Sequence, residues 1–408
     1  MDTSVEGLGS EEKPEPEGGD RSTRRLLRLL LVILALASIA LLVLLLWLLR
    51  PNRGPGAVGG EAGYPVHVVA SIYGFGDDPT QKIRTPLGVT FDADGNLWIS
   101  DTGNSRVLEF DRNWTYLRTI GEADGPGRLF APYGLSVDPA RDRLYVADFA
   151  DRAVRIYSAS SGAFIGDLPS DKQNMKIFGG EGFSPYDVNL LNGRVVVSSN
   201  DGLYFFDLNG RVVGRWGGRT RGVKLGMLNF PDAFDVDPAR DRVYIADSLN
   251  RRVVALDENG RWLWVSGIPD AKGKIRGFWQ LPRGLQVGPD GNIYVVDTFR
   301  PDDGGIGVGY FVVLSPEGKL LSEFGRFGPQ EDSFDFPEKL AVGPDGLYAI
   351  ADRAKDRVVV FTLGPLPSPK TIEQDKYEGN LKTPQGVAFS PAPVAVPSPV
   401  ASPSPPPG

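Results

Sequence analysis

Tyr133, Tyr186, Asp187, Asp232, Arg283, Glu338 and Lys339 are far apart in the chain, yet each stands in one of the two positions after a recurring proline. Gathered on one ring, two phenols, three carboxylates and two cations would make a polar pocket with aromatic walls, a composition typical of ligand sites. Asp187, Asp232 and Glu338 also admit Ca²⁺-type chemistry, in which the ion polarises a substrate or activates water. That chemistry requires the three carboxylates to converge on one point. A solvated rim of assorted polar residues is the other use of the same positions.

A second set recurs instead of varying. Asp101, Asp148, Asp247, Asp297 and Asp352 each close the second apolar run of a repeat, and Arg106, Arg252 and Arg357 stand five residues after three of them. A turn carboxylate accepts backbone N–H groups and pairs with a nearby guanidinium. With Asn104 and Asn250 in the same turns, these residues read as a structural motif, because a catalytic group is needed once and this one returns five times. No catalytic residue is assigned. Asp302-Asp303-Gly304-Gly305 pairs carboxylates with glycines, but its spacing matches no Ca²⁺ loop and reads as a flexible surface loop. Asn113-Trp114-Thr115 fits the glycosylation sequon, a pattern too short to carry weight.

Composition removes several chemistries. The chain has no cysteine and one histidine, His67. Thiol chemistry, Cys-based metal sites and multi-histidine zinc sites are excluded, as is a Ser-His-Asp triad unless His67 serves it. Beyond residue 28 the chain holds 44 acids and 39 bases, so it lacks the basic excess of nucleic-acid-binding domains. No nucleic-acid partner and no resident cofactor are expected, Ca²⁺ at the carboxylates aside.

The elements that must position these side chains repeat. Pro86, Pro132, Pro185, Pro231, Pro282, Pro337 and Pro384 are spaced 46 to 55 residues apart, and each opens an alternating apolar run. Val137–Asp148 and Val236–Asp247 agree at ten of twelve positions. Asp94-Gly95, Asp290-Gly291 and Asp345-Gly346 separate two such runs, a hairpin signal in which both residues are expected at positive φ. Four short strands per unit of this length is one blade of a β-propeller. Val66–Gly74 resembles an orphan fourth strand, whereas Pro365–Asp375 offers none. The N-terminal strand is therefore expected to complete the last blade and leave no open edge. The expected fold is all-β, a six-bladed propeller over 64–390. A seventh blade arises only if Thr383–Ser390 opens one.

Leu29–Leu49 has no charge and one polar residue, Ser38, and is long enough to cross a bilayer as a helix. It exceeds the apolar core of a cleaved signal peptide. Arg21, Arg24, Arg25 and Arg28 precede it while Arg50 and Arg53 follow, which places the N-terminus in the cytoplasm and the propeller outside. The expected organisation is a disordered cytoplasmic tail at 1–28, a signal-anchor helix at 29–49, a linker at 50–63, the propeller, and a Pro-rich disordered tail at 391–408.

Asp101-Thr102-Gly103-Asn104-Ser105-Arg106-Val107 and Asp247-Ser248-Leu249-Asn250-Arg251-Arg252-Val253, with the Pro-Leu-Gly-Val-Thr-Phe-Asp run before the first, resemble the repeats of NHL propellers. The resemblance covers 64–390 and implies a six-bladed fold. Such propellers include binding scaffolds, external sensors and some enzymes, so fold alone does not choose. Family lyases acting on amidated-peptide precursors use histidine-ligated metal, and this chain lacks those histidines. A carboxylate-metal hydrolase or lyase with its site at the channel mouth is the enzymatic alternative. The favoured expectation is a membrane-tethered binding, sensing or scaffold module for a protein, glycan or small molecule, with cell-envelope architecture as a third use.

Overall fold

The computed structural model describes residues 66–170, 178, 182–266, 279–301, 307–324 and 333–364. There the repeats form twenty-four strands, β1 (Val66–Ile72) to β24 (Arg357–Leu363), in six four-stranded sheets. Strands β2 (Gly88–Phe91) to β5 (Tyr116–Ile120) make the first blade, and each following group of four makes the next. The inner strands are β2, β6 (Pro132–Asp138), β10 (Asp187–Leu191), β14 (Pro231–Asp237), β18 (Pro282–Val287) and β22 (Pro337–Val342). Each packs on the next, and β22 returns to β2, so the ring closes on six blades.

Closure uses the orphan strand. The sixth sheet runs β1-β24-β23-β22, with β23 spanning Leu347–Asp352, and β1 pairs antiparallel from Val66↔Leu363 to Ile72↔Val358. Because Val66 and Leu363 are partners, the chain enters and leaves the propeller at one end of this blade. The start of β22 and the Asp352 turn lie at its other end, here termed the mouth.

Each blade is apolar on both faces because each is sandwiched between two others. In β23, Tyr348 and Ile350 pack with Tyr294 and Phe311 of the fifth blade, while Ala349 and Ala351 pack with Ile99 and Leu108 of the first. Strand alternation thus separates large from small side chains instead of apolar from polar. Six such clusters fill the six gaps between blades, which supplies the stability of a cysteine-free domain by burial alone.

Two details differ from the sequence expectation. At Asp94-Gly95 only the glycine takes the left-handed conformation, with φ 84°. Asp92 explains it: its Oδ1 accepts from the N–H of Asp94 and Asn96, and its Oδ2 from Trp98 Nε1, which holds a longer turn. Both residues are left-handed only at Asp345-Gly346, with φ 59° and 73°. In addition, the strands flanking Asp302–Gly305 run on beyond the repeat's usual length. Strands β19 (Ile293–Pro301) and β20 (Gly307–Leu314) continue pairing past Asp297 to Pro301↔Gly307. Asp302-Asp303-Gly304-Gly305, the apolar stretch 29–49, Thr383–Ser390 and the Pro-rich tail lie outside the described residues.

Candidate functional site: the propeller mouth

The recurring aspartates fix the approach to the inner strands. Asp148 accepts from the N–H of Phe130 and Ala131, Asp297 from Gln280 and Leu281, and Asp101, Asp247 and Asp352 from Arg84, Asn229 and Asp335. In every case the donors lie in the two residues before a repeat proline. Arg106, Arg252 and Arg357 complete three of these clamps, each donating Nε to its aspartate at 2.7, 2.6 and 3.1 Å. Asn104 and Asn250 donate to Asp101 and Asp247. All five aspartates are buried. In the third blade Ser199 replaces the aspartate, and its Oγ accepts from Ser184 N–H.

A hydroxyl beside the aspartate extends the clamp, a role that its place in the repeat does not by itself assign. Thr102 donates to the carbonyl of Pro132 at 2.6 Å, Thr298 to that of Pro337 at 2.6 Å, and Ser248 to that of Pro282. Those prolines immediately precede Tyr133, Glu338 and Arg283. Each hydroxyl therefore ties one blade to the residue that sets a mouth side chain of the next. The signal was present as Asp-Thr or Asp-Ser in three repeats.

Six of the seven variable residues meet, but as a closed network instead of an open pocket, with Tyr186 packed beside it. Arg283 Nε lies 3.1 Å from Asp232 Oδ2 and 2.7 Å from Glu338 Oε2. Its terminal nitrogen donates to the Tyr133 hydroxyl. Arg353, not foreseen from sequence, donates to the other oxygen of Glu338 at 3.0 Å. Lys339 Nζ lies 3.1 Å from Asp187 Oδ2, donates to the Asp232 carbonyl, and sits 5.9 Å from the centre of the Tyr133 ring. Three carboxylates thus face three cations. Glu338 is 1% exposed and Lys339 5%. Glycines permit this closeness: a Cβ on Gly88 would fall 1.8 Å from the Tyr133 carbonyl oxygen, and one on Gly134 would fall 2.2 Å from Asp187 Oδ1.

Burial sets the protonation chemistry. It raises Glu338 against the pull of Arg283, and raises Asp187 against Lys339. Burial, with Glu338 and Asp232 nearby, lifts the Tyr133 phenol well above its usual range, so it stays protonated at neutral pH. Asp187, Asp232 and Glu338 are each engaged by a cation and do not share a centre. Among the described residues no group of three or more His, Asp or Glu side chains is placed to hold a metal ion.

Beneath the network all six inner strands line a cavity of about 30 Å³, with Thr90, Asn189 and Gln286 among its polar groups. That is room for about two water molecules. Asp235 accepts from Asn189 Nδ2 at 2.7 Å and from Val287 N–H at 2.8 Å, and burial pushes its carboxyl up to about 6.

Aromatic rings surround the closed mouth. Tyr186 contacts Tyr133 edge-on at 6.0 Å, Phe149 at 5.4 Å and Phe230 at 5.4 Å, and donates its hydroxyl to Asn200 at 2.8 Å. Arg221 lies 4.8 Å from the Phe230 ring centre and Arg353 4.7 Å from that of Phe336. Phe230 and Phe336 both precede a repeat proline and both take positive φ, 55° and 62°. That conformation is costly for a bulky residue and doubly so before proline, so strain is concentrated at this face. Asn113 occupies the exposed β4–β5 turn at the opposite end, β4 being Arg106–Phe110.

Comparison with known proteins is consistent with this geometry. The NHL repeat profile matches residues 84–110, which run from the first clamp through β4. The chain is 24% identical over 282 residues to peptidylglycine alpha-amidating monooxygenase of Rattus norvegicus, covering 68% of this chain and 23% of that protein. It is 22% identical over 286 residues to peptidyl-glycine alpha-amidating monooxygenase A of Xenopus laevis, with 68% and 24% covered. The chain thus spans about a quarter of the length of the curated relatives it matches. Among solved structures, a protein of unknown function from Bacteroides thetaiotaomicron superposes with a TM-score of 0.53 at 18% identity, covering 74% of this chain and 76% of that one, a likeness of fold.

Proposed function

Starting from a chain that is a six-bladed β-propeller whose first blade matches the NHL repeat, we propose that it is a binding module, tethered to the membrane by the apolar stretch 29–49 and working outside the cytoplasm. Its ligand is a protein, glycan or small molecule held across the mouth face. The observation that carries this reading is the closed mouth: every carboxylate of the site already has a cation, and the space beneath is about 30 Å³. Among the described residues no carboxylate of the mouth is left without a cation to engage a metal or a substrate, whereas the strained aromatic rim lies outside the network.

The matched relatives are named as enzymes, which keeps hydrolase or lyase activity at the mouth as a second reading. It requires Asp187, Asp232 and Glu338 to exchange their cations for a metal such as Ca²⁺. Hydrogen–deuterium exchange of the full-length protein, with and without fractionated envelope proteins and glycans, separates the two. Binding across the mouth predicts protection of the segments around Tyr133, Tyr186 and Phe230 by at least one fraction, with no thermal shift from Ca²⁺. Ligand protection confined to other surfaces, or a rise in melting temperature on adding Ca²⁺, would defeat it.

A further inference from the structure

Residues 383–390 open like a seventh repeat for which six blades leave no place. They lie outside the described residues, but the segment they resemble does not. Aligned on Pro86 and Pro384, residues 83–92 and 381–390 are identical at five of ten positions, and Leu381 and Lys382 stand for Ile83 and Arg84. The other five repeats, aligned in the same way, match residues 381–390 at only two or three. Threonine before the proline and phenylalanine five residues after it occur in these two segments alone.

The slot that residues 83–92 fill is walled by β3 (Leu97–Asp101), β6 and β22, and it is selective. A Cβ on Gly88 would fall 1.8 Å from the Tyr133 carbonyl oxygen. Val89 is buried opposite Ile99. The Phe91 ring lies against Gly343 of the sixth blade, where a Cβ would fall 2.7 Å from its Cδ2. Thr85 takes φ 47° and donates its N–H to Asp356 Oδ1 at 2.6 Å. Residues 381–390 keep Thr383, Gly386, Val387 and Phe389 at these four places. What they lose is Asp92, whose place Ser390 takes. Asp92 serves the turn into β3, where it accepts from Asp94, Asn96 and Trp98. The features that fit the slot are thus retained, and the one that continues the chain beyond it is gone.

Chain length fits as well. Phe110, Tyr157, Phe206, Leu256 and Leu314 hold one register position in the third strands of five blades, and Phe361 holds it in the sixth. From the first five to the next repeat proline is 22 to 28 residues, and from Phe361 to Pro384 is 23. The chain leaving the sixth blade therefore has the reach that every other blade uses to arrive at the next inner strand.

We infer that residues 381–390 are a second occupant of the β2 slot, exchanging with residues 83–92 within one chain. Both occupants meet the same walls, so the exchange trades like contacts for like. It does change the axis. Leu87 stands in a mouth position beside Pro86, and Thr90 lines the cavity beneath. Gln385 brings an amide to the first place and Ala388 a smaller side chain to the second. The ring gains a second mouth composition while the other five inner strands stay in place. The mouth-face reading neither supports this exchange nor depends on it.

Because the chain has no cysteine, introduced pairs report occupancy directly. A Cβ on Gly103 would lie 2.9 Å from the Arg84 Cβ, and both positions are exposed. Ala150, Leu249 and Ala354 hold the place of Gly103 in other turns, so a side chain is tolerated there. In full-length protein, G103C/R84C reports residues 83–92 in the slot and G103C/K382C reports residues 381–390. Disulfides are timed under mild oxidation, mapped by peptide mass, and sorted by size as within or between chains. The expected result is an in-chain disulfide in both variants. Phe91→Ser should raise the ratio of the second rate to the first roughly tenfold or more, and Phe389→Ser, which alters no residue of the ring, should lower it by a similar factor. Formation of the R84C disulfide alone overturns the inference, as does a K382C disulfide found only between chains, or a ratio that neither substitution moves.

Discussion

Lys339 of the sixth blade meets Asp187 of the third, 3.1 Å apart across the propeller axis. Arg283 of the fifth blade reaches Tyr133 of the second in the same way. Third and sixth, like second and fifth, are opposite members of a six-membered ring. The mouth is therefore spanned by two side-chain bridges between facing blades, and these explain why so polar a ring encloses so little space.

Removing one end of a bridge should cost more than removing both. Lys339→Met leaves the Asp187 carboxylate buried without its cation and is expected to destabilise the protein by about 3–5 kcal/mol. The double variant Lys339→Met with Asp187→Leu should recover a large part of that loss. Urea denaturation of the two variants and the parent measures it through the midpoint at constant slope.

The turn aspartates should behave as structural keystones. Asp247 accepts from Asn229 N–H, Asn250 and Arg252, so Asp247→Ala strands at least three donors and is expected to cost about 3 kcal/mol or more. Asp257→Ala, in an exposed hairpin turn that holds Asn259 and Arg261, should cost about 1 kcal/mol. Thermal unfolding of the two variants side by side checks the difference.

A hydroxyl deletion tests the link between blades. Thr298→Val keeps shape but removes the buried bond to the Pro337 carbonyl, next to Glu338 in the chain. The expected loss is about 1–3 kcal/mol. Amide exchange should also quicken around Glu338 in β22, more than in the outer strands.

Asp235 makes a signed prediction in pH. Burial raises its folded carboxyl to about 6, above the usual value of 3.8. Between those values the folded state binds the proton that the unfolded state has released, so this group's contribution to stability declines as pH rises from about 4 to 6. Stability should gain from this residue on acidification through that window. Asp235→Asn, whatever its fixed cost, should flatten the slope of unfolding free energy against pH there.

Much of the architecture was legible because it repeats. Proline spacing placed the six inner strands, and the unpaired run at Val66–Gly74 foretold the closing strand β1. Asp101 and its equivalents stood out because every clamp needs the same carboxylate. The mouth was legible as a list of residues but not as a network. Whether three acids bind a ligand or bind one another depends on side-chain reach across the axis, which no local pattern carries. Once the blades are counted, however, Tyr133 with Arg283 and Asp187 with Lys339 are each three blades apart, so their meeting follows from ring geometry. Arg353 follows no recurring pattern, because it stands where three other repeats carry the hydroxyls of Thr102, Ser248 and Thr298. The Asp94-Gly95 turn was misjudged because Asp92, two residues earlier, accepts the N–H groups that decide its form.

The closed mouth itself is most directly tested by reductive methylation of the native full-length protein followed by peptide mapping. Lys224 and Lys319 are exposed, whereas Lys339 is buried against Asp187 and the Asp232 carbonyl. The expected result is rapid modification of Lys224 and Lys319 with Lys339 unmodified until the protein unfolds. Modification of Lys339 at the rate of Lys224 would show an open channel and contradict the account.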